Sequence, residues 1–260
     1  MKKNQAFNFV GIIPARYASS RFPGKPLALI GSKPMIQLVY EQASKVLNNV
    51  YVATDDERIF KCVADFGGKA IMTSSNHLSG TDRCSEAVIK IKDETVEKID
   101  VAINIQGDEP FIRPEQIAAL MNCFNRENVE IATLIRKVNE GDDLFNPNQP
   151  KVIINSFGDA IYFSRSVIPF IRDSETSEWM KKHTFFKHIG LYAYRTKILH
   201  EITNLSRSSL EIAESLEQNR WIENGYKIAT AITDWESIGI DTPDDLEKAK
   251  HIFKKYDVNV

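Results

Sequence analysis

Twelve consecutive residues, Ala15-Arg16-Tyr17-Ala18-Ser19-Ser20-Arg21-Phe22-Pro23-Gly24-Lys25-Pro26, carry three cations and no acid. A loop of this composition, folded back on itself, brings Arg16, Arg21 and Lys25 around one multiply charged anion. Guanidinium groups offer forked donors that match phosphate oxygens, and lysine adds a compact point charge. The pattern is neither Gly-x-x-x-x-Gly-Lys-Ser/Thr nor Gly-x-Gly-x-x-Gly, so it supports neither a P-loop nor a nicotinamide-binding turn. The competing reading is a solvated basic loop.

Acids stand elsewhere. An apolar run ends in Gln106-Gly107-Asp108-Glu109-Pro110, where glycine permits a sharp turn and places the acids just beyond a strand. A carboxylate facing a basic loop suits Mg²⁺ shared with phosphates, since this ion takes oxygen ligands and uses one or two carboxylates. An ordinary Asp-Glu-Pro turn is the alternative. The second acid is in Ile238-Gly239-Ile240-Asp241-Thr242-Pro243-Asp244-Asp245. Thr242 and Asp245 have the spacing of a capping box with Pro243 in the first turn, which leaves Asp241 free to share a metal with Asp108. Other marks are weaker. Ser79-Gly80-Thr81-Asp82-Arg83 reads as a helix start with Thr81 or Asp82 as cap and Arg83 in the first turn. His188 and Tyr192 share one face of a strand. Glu211, Glu214, Glu217 and Gln218 offer polar groups to a hydroxylated ligand, or form a solvated face. His77, His183, His200 and His251 have no partner pattern.

The elements that position these residues alternate. Strands are expected over 9–14, 50–54, 69–73 and 101–105, with helices over 34–47, 56–66, 81–91 and 114–124. Such alternation implies an α/β fold with a doubly wound, mostly parallel sheet, whose ligands bind beyond the carboxyl ends of the strands. The remainder is mixed: strands over 131–137, 151–155, 160–163, 188–194 and 227–232, several of them antiparallel, and helices over 210–224 and 244–255. No repeat or long linker interrupts the chain. It reads as one domain over 1–260, with an elaborated middle region from about 139 to 205.

Composition closes off other classes. The 260 residues include 33 Lys+Arg and 35 Asp+Glu, a net charge of −2, which lacks the basic excess of a nucleic-acid binder. No apolar run approaches the roughly 18 residues of a membrane span, and residues 1–8 lack the apolar core of a signal peptide. Cys62, Cys84 and Cys123 have no metal-ligand spacing and read as reduced core thiols of a cytoplasmic protein.

The run from Ile12 to Leu27 resembles the start of the bacterial 3-deoxy-manno-octulosonate cytidylyltransferases, the CMP-Kdo synthetases. The same family is matched by Tyr51-Val52-Ala53-Thr54-Asp55, Ser79 to Arg83, Asn104 to Pro110, Tyr162-Phe163-Ser164-Arg165, Lys187 to Tyr192 and Gly239 to Pro243, in order along nearly the whole chain. The resemblance implies a Rossmann-like, nucleotide-diphospho-sugar transferase fold and the reaction of CTP with Kdo to give CMP-Kdo and pyrophosphate for lipopolysaccharide biosynthesis. It implies that Arg16 and Lys25 hold the triphosphate with Arg21 nearby. Ala15, Thr81, Arg83 and Gln106 then contribute to the nucleotide pocket, Asp108 and Asp241 bind Mg²⁺, and Arg165, His188, Tyr192, Glu211 and Gln218 line the sugar-acid site. For the mechanism, metal-lowered acidity of the sugar hydroxyl is the first expectation and His188 as general base the second. It further implies a homodimer contacting through the middle region. Thr233-Asp234-Trp235-Glu236-Ser237 departs from the Pro/Gly-rich run of some members. An 8-amino-Kdo or sialic acid transferase and a non-catalytic homologue are the alternatives.

Overall fold

The computed structural model describes residues 7–18, 21–95, 98–236 and 238–256. Ser19 and Ser20 of the basic loop, Ser237 and residues 1–6 lie outside the described residues. In chain order the strands are β1 (Phe9–Ala15), β2 (Leu29–Ile30), β3 (Lys33–Pro34), β4 (Val50–Thr54), β5 (Ala70–Met72), β6 (Val101–Asn104), β7 (Ile131–Lys137), β8 (Lys151–Ile154), β9 (Asp159–Ser164), β10 (Phe186–Arg195) and β11 (Ile228–Ile232). The helices are α1 (Met35–Ser44), α2 (Glu57–Asp65), α3 (Gly80–Glu94), α4 (Pro114–Asn122), α5 (Trp179–Lys182), α6 (Thr196–Thr203), α7 (Ser209–Glu214), α8 (Glu217–Glu223) and α9 (Pro243–Tyr256). Contacts divide the chain into two compact units, one of residues 1–118, 195–203 and 237–260, the other of 119–194 and 204–236.

The first unit carries the expected strand–helix alternation. Its sheet runs β5-β4-β1-β6 with every pair parallel. Val10, Ile12, Ile13, Val52, Ala102 and Ile103 are buried, as continuous apolar runs in a covered parallel sheet must be. Local chemistry fixes the helix starts. The Asp56 side chain accepts the Arg58 amide at 2.9 Å to start α2. Ser79, rather than Thr81 or Asp82, caps α3, with Asp82 reciprocating from the third position. The hydroxyl makes the difference: placed one residue before the helix, it reaches the free amide of Asp82.

The second unit is mixed. β11 lies parallel to β7, β10 lies antiparallel to β7 and β8, and β9 lies antiparallel to β8 and β11. The helix expected over 210–224 is two helices. The chain turns at Ser215, whose φ of 51° is left-handed, a conformation that costs a non-glycine residue roughly 1–2 kcal/mol. The elements 179–182 and 196–203 were not anticipated from the sequence. No described helix is long and apolar enough to cross a membrane.

Candidate active site

The basic loop folds back as its composition suggests. Gly24 donates its amide to the Tyr17 carbonyl at 2.9 Å. Its φ is +71°, and a Cβ there would lie 3.1 Å from the Tyr17 ring, so glycine answers both requirements. Pro26 is buried behind Lys25, while the Arg58 guanidinium covers the Tyr17 ring at 3.3 Å.

The two acids meet on this loop. Lys25 Nζ donates to Asp108 Oδ2 at 2.6 Å and to Asp241 Oδ1 at 3.3 Å, and Arg21 reaches the same Asp241 oxygen at 3.2 Å. Carboxylates 133 positions apart in sequence therefore both reach one ammonium nitrogen. Three constraints put them there. Gly107 lets the β6 end pass close to β1, for a Cβ there would be 2.9 Å from the Pro14 carbonyl oxygen. The Ile240 amide donates to the Asp108 carbonyl at 3.0 Å. Thr242 and Asp245 form the capping box, the Asp245 amide donating to Thr242 Oγ1 at 3.2 Å and the Thr242 amide donating to Asp245 Oδ2 at 3.1 Å. The Asp241 carboxylate is thus left out of the cap.

Apolar neighbours anchor the charges. Ile240, next to Asp241, is fully buried with Ile30, Met35, Leu38, Leu246 and Ala249, and Phe22, next to Arg21, packs on the same cluster. Burial of each large aliphatic side chain contributes about 1.5–3 kcal/mol, which holds α9 and the loop in place.

A cavity of about 290 Å³ opens here, lined by Ala15, Arg16, Arg21, Lys25, Arg83, Gln106, Asp108 and Asp241 among others. It lies beyond the carboxyl ends of β1 and β6, where an open parallel sheet receives ligands. Arg16 is exposed. Arg83 is buried and donates to Thr73 Oγ1 at 2.6 Å and to Asp55 Oδ2 at 2.9 Å, which gives Asp55 of the Tyr51–Asp55 motif the task of orienting it. Thr81 is buried in the first turn of α3 and is not among the lining residues. His77, also lining the cavity, is bonded to Glu86; its polar surroundings left no periodic signal in the sequence.

The second unit holds the other five candidates. His188 and Tyr192 lie on one side of β10, ring centroids 5.2 Å apart, with a register shift between Ile189 and Tyr192 that inserts two residues and preserves the alternation. The Thr133 hydroxyl sits 3.0 Å from His188 Nε2 and 2.9 Å from the Leu191 carbonyl. If it donates to that carbonyl, His188 is the Nε2–H tautomer. Burial lowers the imidazole to about 3, so it is neutral at pH 7 and too weak a base for the general-base role that was the second mechanistic expectation. Burial, with the nearby Glu217 charge, raises the Tyr192 phenol well above its usual value.

The lowered His188 value has a stability consequence. The unfolded chain takes up this proton near 6.5 and the folded one only near 3, so the folded state loses stability as pH falls through that interval and has the full contribution above it. Urea midpoints at pH 7.5 and pH 5 should separate less for His188→Gln than for the parent; equal separations would contradict this assignment.

Glu211 caps α7 with Ser208 and lies 3.4 Å from Arg220 Nε. Gln218 is 5% exposed, and its Nε2 has no hydrogen-bond partner among the described residues. Few buried donors are left unpaired, and the Gln218 amide is one of them. Arg165 donates to the carbonyls of Glu214 (2.7 Å), Pro147 (2.9 Å) and Ser215 (3.4 Å), three of the five donors a guanidinium carries. Among the described residues no group of three or more His, Cys, Asp or Glu could hold a metal ion. A pair of carboxylates that already accepts one shared cation fits Mg²⁺ better than a metal needing nitrogen or sulfur ligands.

A family model described as Cytidylyltransferase matches residues 10–228. The 3-deoxy-manno-octulosonate cytidylyltransferase of Parabacteroides distasonis is 60% identical over 93% of this chain and 96% of its own length. The 8-amino-3,8-dideoxy-manno-octulosonate cytidylyltransferase of Shewanella sp. (strain W3-18-1) is 47% identical over 94% and 97%. Among solved structures, CMP:2-keto-3-deoxy-manno-octonic acid synthetase complexed with CTP superposes with a TM-score of 0.86 at 43% identity, covering 95% of this chain and 98% of its own. With this agreement in sequence and fold, the chain belongs to the cytidylyltransferase family.

Proposed function

We propose that the protein is a 3-deoxy-manno-octulosonate cytidylyltransferase, joining CTP and Kdo into CMP-Kdo and pyrophosphate for lipopolysaccharide biosynthesis. The single observation that carries this reading is the convergence of Asp108, Asp241 and Lys25 beside Arg16 and Arg21 at the carboxyl ends of β1 and β6. The sugar hydroxyl on the anomeric carbon attacks the α-phosphorus in line with departing pyrophosphate: one O–P bond forms and the α–β bridging O–P bond breaks. Arg16, Arg21 and Lys25 bind the triphosphate and offset its charge, while Ala15, Arg83 and Gln106 line the nucleotide pocket and Thr81 stands behind it in the first turn of α3. Asp108 and Asp241 would hold Mg²⁺, which when bound neutralises phosphate charge and raises the acidity of a coordinated hydroxyl. Arg165 has donors left for the sugar carboxylate; His188, Tyr192, Glu211 and Gln218 orient its hydroxyls. Positioning and charge placement then carry most of the catalysis.

A homodimer contacting through the middle region is supported by the exposure of Phe145, Phe157, Ile161 and Phe170, and light scattering tests it. A cytoplasmic location follows from CTP as substrate. The 8-amino sugar is the second reading, favoured by the Shewanella relative.

Pyrophosphate release with CTP and a panel of Kdo, its 8-amino analogue and a sialic acid, with and without Mg²⁺, tests the proposal. Turnover should be fastest with Kdo and absent without the metal; no release with any sugar would overturn it. Lys25→Ala should raise the CTP KM about 10- to 100-fold, the value of a charge-assisted hydrogen bond. An unchanged CTP dependence would count against the phosphate-loop assignment.

A further inference from the structure

We infer that Glu214 is a positioning residue for the sugar-acid subsite, pinning the elbow between α7 and α8 so that Glu211 and Gln218 stand at fixed places on either side of it. The inference rests on the function just proposed and assigns a task to a residue that neither the motifs nor the carboxylate pair employ.

Glu214 is the last residue of α7, one helical turn after Glu211 and four residues before Gln218. Its Oε1 accepts from Ser164 Oγ at 2.6 Å and from the Tyr162 hydroxyl at 3.1 Å, and its Oε2 accepts the Arg165 amide at 2.9 Å. One carboxylate thus takes three donors from the Tyr162–Arg165 segment at the end of β9. Arg165 returns the contact, donating to the Glu214 and Ser215 carbonyls at 2.7 and 3.4 Å. α8 is tied to the same strand by Asn219 Nδ2, which donates to the Phe163 carbonyl at 2.9 Å.

The geometry is demanding because Ser215 is left-handed. An unsupported chain would relax such a residue, and the two helices would turn relative to each other. Gln218 Nε2, buried and without a partner among the described residues, would then point elsewhere. The hydrogen bonds from three donors also hold the Glu214 carboxyl below its ordinary range against the opposing effect of burial, so the charged form is the one that clamps. A glutamine keeps the shape but turns an NH₂ toward one of the three donors.

The experiment compares steady-state pyrophosphate release by the full chain and by Glu214→Ala, Glu214→Gln and Ser164→Ala, varying Kdo at saturating CTP and then CTP at saturating Kdo. Glu214→Ala should raise the KM for Kdo about tenfold or more, the scale of a misplaced binding group. Glu214→Gln should fall between it and the parent, and Ser164→Ala should raise it about threefold. The KM for CTP should stay within about twofold throughout, because the triphosphate residues belong to the other unit. A folded Glu214→Ala protein with parental KM for Kdo, or with equal rises in both constants, would overturn the inference. If Glu214→Ala does not fold, Ser164→Ala decides by the same criterion. Absence of pyrophosphate release by the parent chain is a separate result and overturns the proposed function itself.

Discussion

Asp108→Ala and Asp241→Ala should each lower turnover by about 10²–10³-fold, the effect of removing a preorganised charge from a phosphoryl-transfer site. Both carboxylates are partly exposed, 30% and 48%, and neither caps a helix, so thermal unfolding should change little. Lys25 retains one acidic partner in either variant, which avoids an isolated buried charge. The isosteric Asn variants should behave alike, since an amide preserves the shape and loses the charge. Pyrophosphate release measured beside the melting temperature separates chemistry from folding. Parental activity in either alanine variant would remove the metal-clamp model.

Gly107→Ala should lower turnover about 100-fold without touching a charged group. The added methyl would lie 2.9 Å from the Pro14 carbonyl oxygen and 3.4 Å from the Ile13 side chain. The closer obstacle is backbone, which has no rotamer to yield, so the turn itself must shift and carry Asp108 with it. A displacement of about 1 Å is enough for a hundredfold loss, and the overpacking should cost about 1–3 kcal/mol of stability. Gly239→Ala is the matched control. It lies two residues from Asp241, yet a Cβ there would meet nothing within 4 Å, so activity and stability should remain near parental. Equal behaviour of the two variants would contradict a steric role for Gly107.

Features written in local chemistry could be read before any coordinates. Asp241 stood out because Thr242 and Asp245 account for the helix cap, leaving its own carboxylate to face Lys25 and Arg21. β4 and β7 match their expected ranges because apolar runs bounded by polar residues have little freedom of register. The elbow at Ser215 was not legible. Residues 210–224 keep a helical pattern, and what breaks it is tertiary: three donors on Glu214 and Asn219 holding α8 to β9. The α6 helix could have been found, since Ile198, Leu199 and Ile202 are buried at helical spacing. Arg83 read locally as a cation in a helix's first turn, and its engagement by Asp55 and Thr73, which follow β4 and β5, could not be read there. A long-range meeting was legible where local chemistry left a charge unused, as at Asp241; where no local signal existed, as at the Ser215 elbow, it was not.

The most direct measurement follows the ¹³Cγ resonances of Asp108 and Asp241 as Mn²⁺, an oxygen-preferring stand-in for Mg²⁺, is added to the protein with CTP. Both signals should broaden together at the lowest metal concentrations, ahead of the exposed aspartates. Broadening of one signal alone, or of neither, would contradict a cation shared by the two carboxylates.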